Sequence, residues 1–156
     1  MSWAARAAAH DSGAVSVYAG SVADGAIVAG PLVRLACERH IWDLEDGPSR
    51  GLHWVAEAAE DVFRFFEKVL PLDDIDTPFA LLPWQRFVLG ILFGCQLADG
   101  VRRFRHAYIE CGKGSGKTPL LAGVGLYGLV ADGEAAAEIY SARRRDDTRP
   151  DLCTFT

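Results

Sequence analysis

Cys111-Gly112-Lys113-Gly114-Ser115-Gly116-Lys117-Thr118 is the stretch on which the reading of the whole chain turns. A loop that wraps polyphosphate presents successive backbone N–H groups inward, so glycine is used where the backbone approaches the ligand or turns sharply. A helical pattern beginning at Lys117 would aim its unpaired N–H groups and positive dipole end at the same anion. Lys117 would then reach the β- and γ-phosphates as a mobile point charge, and the Thr118 hydroxyl would ligate Mg²⁺. The strict pattern is G-x-x-x-x-G-K-[ST], and here Cys111 holds its first position with Gly112 one place late. The competing reading is a flexible glycine turn with an incidental lysine. Three alternating glycines followed by Lys-Thr, between a strand pattern and a helix pattern, favour the phosphate loop.

The flanks supply that context. Phe104–Cys111 alternates and ends in the apolar run Ala107-Tyr108-Ile109, which predicts a short strand. Lys117–Ala131 predicts a helix ended by Asp132-Gly133, with Gly133 as a left-handed cap. Ala137–Ser141 is short enough for a second strand, and strand, loop, helix and strand make one right-handed crossover of a parallel sheet. The helix carries Gly123, Gly125 and Gly128, each costing about 1 kcal/mol relative to Ala, for which close packing on the sheet is the compensation. Leu126–Val130 followed by Asp132 and Glu134 imitates an apolar strand with a Mg²⁺-binding acid. It lies too close to Lys117 for that role and belongs to the helix and its cap.

Upstream the chain reads as helical. Pro31 opens a stretch in which Leu32, Val33, Leu35, Ala36, Ile41 and Leu44 recur at three- and four-residue intervals, broken by Gly47-Pro48-Ser49. A second stripe of Val55, Ala58, Val62, Phe66, Val69 and Leu70 stops at Pro71, with Glu57, Glu60 and Asp61 at its dipole-favoured end. After the acidic loop Asp73–Thr77, Pro83 opens a third helix running to about Leu97. Gln85 stands at its start beside Trp84. Taken alone, Trp84 suits a core and Gln85 a capping group. With a phosphate loop about 30 residues later, the pair reads as an adenine clamp, because a primary amide offers donor and acceptor together.

Composition sets the outer bounds. The 156 residues are 50% hydrophobic and 24% charged with a net charge of −5, the balance of a folded chain and not of a basic nucleic-acid coat. Residues 1–100 carry 7 basic and 14 acidic side chains, whereas residues 101–156 carry 9 and 7, so a module boundary is set at Asp99-Gly100. No apolar stretch approaches the ~20 residues of a spanning helix, so no membrane association is expected. Four scattered cysteines without a C-x-x-C pair suit a reducing cytosol. Cys37 and His40 could form half a zinc site, but no second pair follows at a suitable distance. Arg102, Arg103 and Arg105 could meet DNA phosphates, although three arginines beside a strand also suit a solvated edge. The expected divisions are a frayed lead-in (1–16), a helical region with the adenine segment (17–100), the start of a nucleotide-binding domain (101–141) and an atypical tail (142–156).

Several pieces, in order, carry a family resemblance: Val33-Arg-Leu-Ala-Cys-Glu-Arg-His40, Leu82-Pro-Trp-Gln85, Leu92-Phe-Gly94, Arg103-Phe-Arg-His-Ala-Tyr-Ile-Glu110, the loop through Thr118, Leu126–Glu134 and Glu138-Ile-Tyr-Ser141. Together they resemble the N-terminal part of the large terminase subunit of tailed bacteriophages. The resemblance implies an α/β fold, here a helical N-terminal region followed by an incomplete P-loop NTPase parallel-sheet core. It implies an ATP- and Mg²⁺-dependent motor that packages viral double-stranded DNA in the bacterial cytoplasm, with the small terminase subunit and the portal protein as partners. The implied site comprises Gln85, Gly112, Gly114, Ser115, Gly116, Lys117 and Thr118, with Lys113 where the family often has a catalytic arginine. Lys113 keeps the charge but not the planar fork. The family's later Mg²⁺-binding aspartate, catalytic glutamate and nuclease carboxylates are not among these motifs, so this chain alone is not expected to turn ATP over. The charged run Arg143–Asp147 replaces the family's usual helix, and a frame disruption near Ala142, leaving a truncated prophage remnant, is the expectation. The alternatives are a remnant without activity and a small-molecule kinase, although about 110 residues precede the loop where such a kinase has few.

Overall fold

Pro31 is the first residue of the longest helix in the computed structural model, which describes residues 1–70 and 79–133. The chain divides into two compact units, Met1–Arg103 and the portion from Phe104 onward. The first unit runs α1 (Trp3–Ala8), α2 (Ala14–Ala23), α3 (Pro31–Asp46), a 3₁₀ turn (Gly47–Arg50), β1 (Leu52–Trp54), α4 (Ala56–Val69), α5 (Pro83–Gly94) and β2 (Cys95–Leu97). In the second, α6 spans Lys117–Val130.

Helix α2 is the centre of the first unit and packs on α1, α3 and α5, while α4 packs on α5. Its sequence is small and apolar nearly all round, with Val15, Ser16, Ala19, Gly20, Val22 and Ala23 buried. Such a helix has no amphipathic stripe to announce it. Small residues are what the close approach demands: a Cβ on Gly20 would sit 2.6 Å from the Ala4 Cα. The lead-in 1–16, which composition alone suggests is frayed, holds α1. The Asp24 carboxylate accepts from Trp3 N (2.8 Å) and Ala4 N (2.9 Å), ordering the first turn, and these two bonds hold the Asp24 carboxyl below its usual pKa.

Helices α3 and α4 form where their patterns put them, but the expected stripes are only partly buried: Ile41 and Leu44 of α3 are covered while Leu32, Val33 and Leu35 are exposed, as is Val69 of α4. In α4, Ala59, Val62, Phe63, Phe65 and Phe66 are buried, and Arg86 of α5 reaches Glu67 while lying 5.2 Å from the Phe63 ring centre. Helix α5 ends at Gly94, short of the expected Leu97. A Cβ at Gly94 would lie 2.6 Å from the Trp54 ring, so the indole occupies the space where a side chain would stand. Cys95 then leaves the helix and pairs antiparallel with Trp54, as Gln96 does with His53 and Leu97 with Leu52. Val101 and Arg103 bond back to β2 from its other side (Leu97 N to Val101 O, 2.8 Å; Arg103 N to Cys95 O, 2.9 Å). Asp43 ties this corner to α3, accepting from Arg50 at 2.8 Å and from Arg103.

The expected parallel-sheet core is not seen among the described residues. Among the described residues the sheet is the two-stranded antiparallel pair β1–β2, and 104–111 lies in no strand. Ala107 and Tyr108 are exposed, so the apolar run has no cover, and a strand exists only where a neighbour completes its ladder. The partner expected for it, Ala137–Ser141, lies outside the described residues, as do Asp73–Thr77, Glu134 and the tail 142–156. Among the described residues no helix is long and apolar enough to cross a membrane.

Candidate functional site

In the second unit, the turn from Cys111 to Gly116 leads directly into α6. Gly114 (φ +80°) and Gly116 (φ +79°) adopt the left-handed conformation that side chains resist, so two of the three alternating glycines are demanded by the backbone. Gly112 is different. A Cβ there would meet nothing within 4 Å among the described residues, nor would one on Gly114.

Gly116 is the N-cap of α6 and offers no side-chain cap to the first amides of the helix. Pro119, in the first turn, has no N–H to satisfy. Among the backbone amides of 112–118, Ser115 N alone donates to a carbonyl among the described residues, to Gly112 O at 3.4 Å. The amides of Lys117 and Thr118 are thus left at the positive end of a helix dipole.

Lys117 Nζ donates to the Cys111 carbonyl at 3.0 Å, so the lysine folds back across the turn it follows. An ammonium has three donors, and this bond uses one. Ser115 Oγ donates to Cys111 Sγ at 2.9 Å, closing the same ring from inside. Cys111 therefore anchors the loop through its carbonyl and its thiol, a role that glycine spacing does not signal. Lys113 and Thr118 are both exposed. This donor set fits a polyphosphate with a hard divalent cation: amides and an ammonium for the anion, one hydroxyl oxygen for the metal.

Gln85 belongs to the first unit. It is 3% exposed, and its Oε1 accepts from Leu82 N at 2.8 Å, capping α5. This is half a capping box, because the leucine has no acceptor to return. Arg102 lies 4.9 Å from the Phe93 ring centre and Arg103 bonds Asp43, whereas Arg105 is exposed. Cys37 and His40 are buried on α3, and among the described residues no three His, Cys, Asp or Glu side chains gather as metal ligands. Burial pushes the Cys37 thiol up to about 12 and the Cys95 thiol up to about 11, which leaves both unreactive.

No curated protein and no solved structure matches the chain. A family model does match, that of the terminase large subunit, ATPase domain, over residues 83–149. The matched span opens on the first residue of α5, takes in Gln85, and contains the whole loop from Cys111 to Thr118. Over residues 83–149 the chain is similar to the terminase large subunit ATPase domain.

Proposed function

We propose that the turn Cys111–Thr118 binds the phosphates of ATP, and that this chain carries the nucleotide-gripping portion of a motor that packages viral double-stranded DNA. The observation that carries the reading is the geometry of the turn. Gly114 and Gly116 are left-handed, the turn amides other than Ser115 N donate to no carbonyl among the described residues, and the Lys117 ammonium folds back onto the Cys111 carbonyl. Gly112, Gly114, Ser115 and Gly116 supply the backbone wall, Lys117 the charge on the outer phosphates, and Thr118 an oxygen for Mg²⁺. When bound, Mg²⁺ would neutralise charge on the phosphates. Lys113, exposed on the loop, is the cation proposed to meet the charge that develops during transfer. Binding is what these eight loop residues supply; none of them is a carboxylate able to orient an attacking water.

Double-stranded DNA, the small terminase subunit and the portal protein are the proposed partners, and the bacterial host cytoplasm the proposed compartment. Equilibrium binding of a fluorescent ATP analogue to the purified chain tests the core of the proposal. Loss of a charge-assisted phosphate contact is worth about 1.5–3 kcal/mol, so Lys117→Ala should weaken binding roughly 10- to 100-fold. Equal affinity in wild type and variant would remove the loop from the account.

A further inference from the structure

The first unit holds a second polar feature that nucleotide binding does not use. Ser16 and His40 are both essentially inaccessible, at 0% and 2% exposure. Ser16 Oγ donates to Asp11 Oδ2 at 2.5 Å and lies 3.0 Å from His40 Nε2. A hydroxyl has one proton, and here it goes to the carboxylate. The second contact therefore requires His40 Nε2–H to donate to Ser16 Oγ. With its proton on Nε2, neutral His40 presents a bare lone pair at Nδ1.

That Nδ1 is buried and has no hydrogen-bond partner among the described residues, and the same holds for Trp54 Nε1. One is an obligatory acceptor in this tautomer, the other an obligatory donor. The two rings meet edge to face with centroids 5.0 Å apart, yet no direct bond joins the nitrogens. Both residues line one cavity of about 10 Å³, shared with Asp43, Cys95 and Arg103. That volume matches a single water, and a water persists in a buried site when two to four polar partners receive it.

We infer that one structural water bridges Trp54 Nε1–H and His40 Nδ1, accepting from the indole and donating to the imidazole, with the charged pair Asp43–Arg103 beside it. The water completes a relay from Asp11 through Ser16 and His40 to Trp54, and so links α2, α3 and β1. It gives both unpartnered ring nitrogens a partner, and it commits His40 to one tautomer.

Nitrogen-15 NMR on the full chain tests it. Long-range ring correlations should show His40 protonated at Nε2 alone, and the Trp54 indole proton should give a cross-relaxation peak to a water whose sign marks long residence. Ser16→Ala should relax the tautomer preference, so that Nδ1–H becomes populated. A His40 protonated at Nδ1 in the wild type, or a Trp54 indole proton with no such water peak, would overturn the inference. Should Ser16→Ala fail to fold, the two wild-type spectra decide the matter alone.

Discussion

Mild acidification, from pH 6.5 to 5, is expected to destabilise the first unit through His40. Burial is the largest influence on His40 and pushes its pKa from 6.5 down to about 4; Asp11 and Asp43 pull it upward and Arg39 downward. Between those values the unfolded chain binds a proton that the folded chain refuses. Stability is therefore fully present above pH 6.5, declines as the pH falls through that window, and levels off below about 4. The gap corresponds to about 3 kcal/mol overall, at roughly 1.4 kcal/mol per pH unit. Against a typical total of about 5–15 kcal/mol, that is a large fraction. Asp24 and Glu45, whose carboxyls are held low by backbone amides and by Arg6 respectively, lose stability with the same sign at lower pH. The interval from pH 6.5 to 5 thus isolates the histidine. Urea unfolding followed by tryptophan fluorescence should show the loss, and His40→Gln, which cannot protonate there, should flatten it. An equal slope in the variant, or a His40 ring titrating near 6.5 by NMR, would refute the reasoning.

Glycine substitutions separate backbone demand from ligand demand. Gly112→Ala meets nothing among the described residues and should leave the melting temperature unchanged while weakening ATP binding, whereas Gly114→Ala should cost about 1–2 kcal/mol of local strain as well, read by thermal unfolding beside the binding assay. Gly94→Ala drives a methyl into the Trp54 ring, and overpacking should outweigh the gain in helix propensity by about 1–2 kcal/mol, lowering the urea midpoint; a raised midpoint would contradict the packing described.

Much of the helical scaffold can be read without coordinates because its signals are local. Pro31 and Pro83 open α3 and α5, and the stripe through Val62 and Phe66 is α4. What escapes reading depends on partners distant in the chain. Helix α2 is apolar on its exposed face as well, where Ala14 and Val17 stand, so its small residues carry no polar period. β1 and β2 are three residues each, too short to alternate, and β2 exists because Trp54 fills the place of a Gly94 side chain. The run 104–111 shows the opposite failure: it alternates like a strand but has no ladder among the described residues. At the candidate site, the glycine spacing announces the left-handed positions at Gly114 and Gly116. It does not announce that Lys117 docks on the Cys111 carbonyl, nor that Gln85 spends its oxygen on Leu82. The Asp11–Ser16–His40 relay joins residues 24 and 5 positions apart and leaves no pattern in the sequence.

The most direct measurement is an ATP–Mg²⁺ titration of the isotope-labelled chain, followed at individual backbone amides. The resonances of Gly114, Gly116, Lys117 and Thr118 should move together and saturate, and Lys117→Ala should suppress the movement. Saturable binding that leaves those four amides where they started, or no binding at millimolar nucleotide, would contradict the reading of this turn as a phosphate cradle.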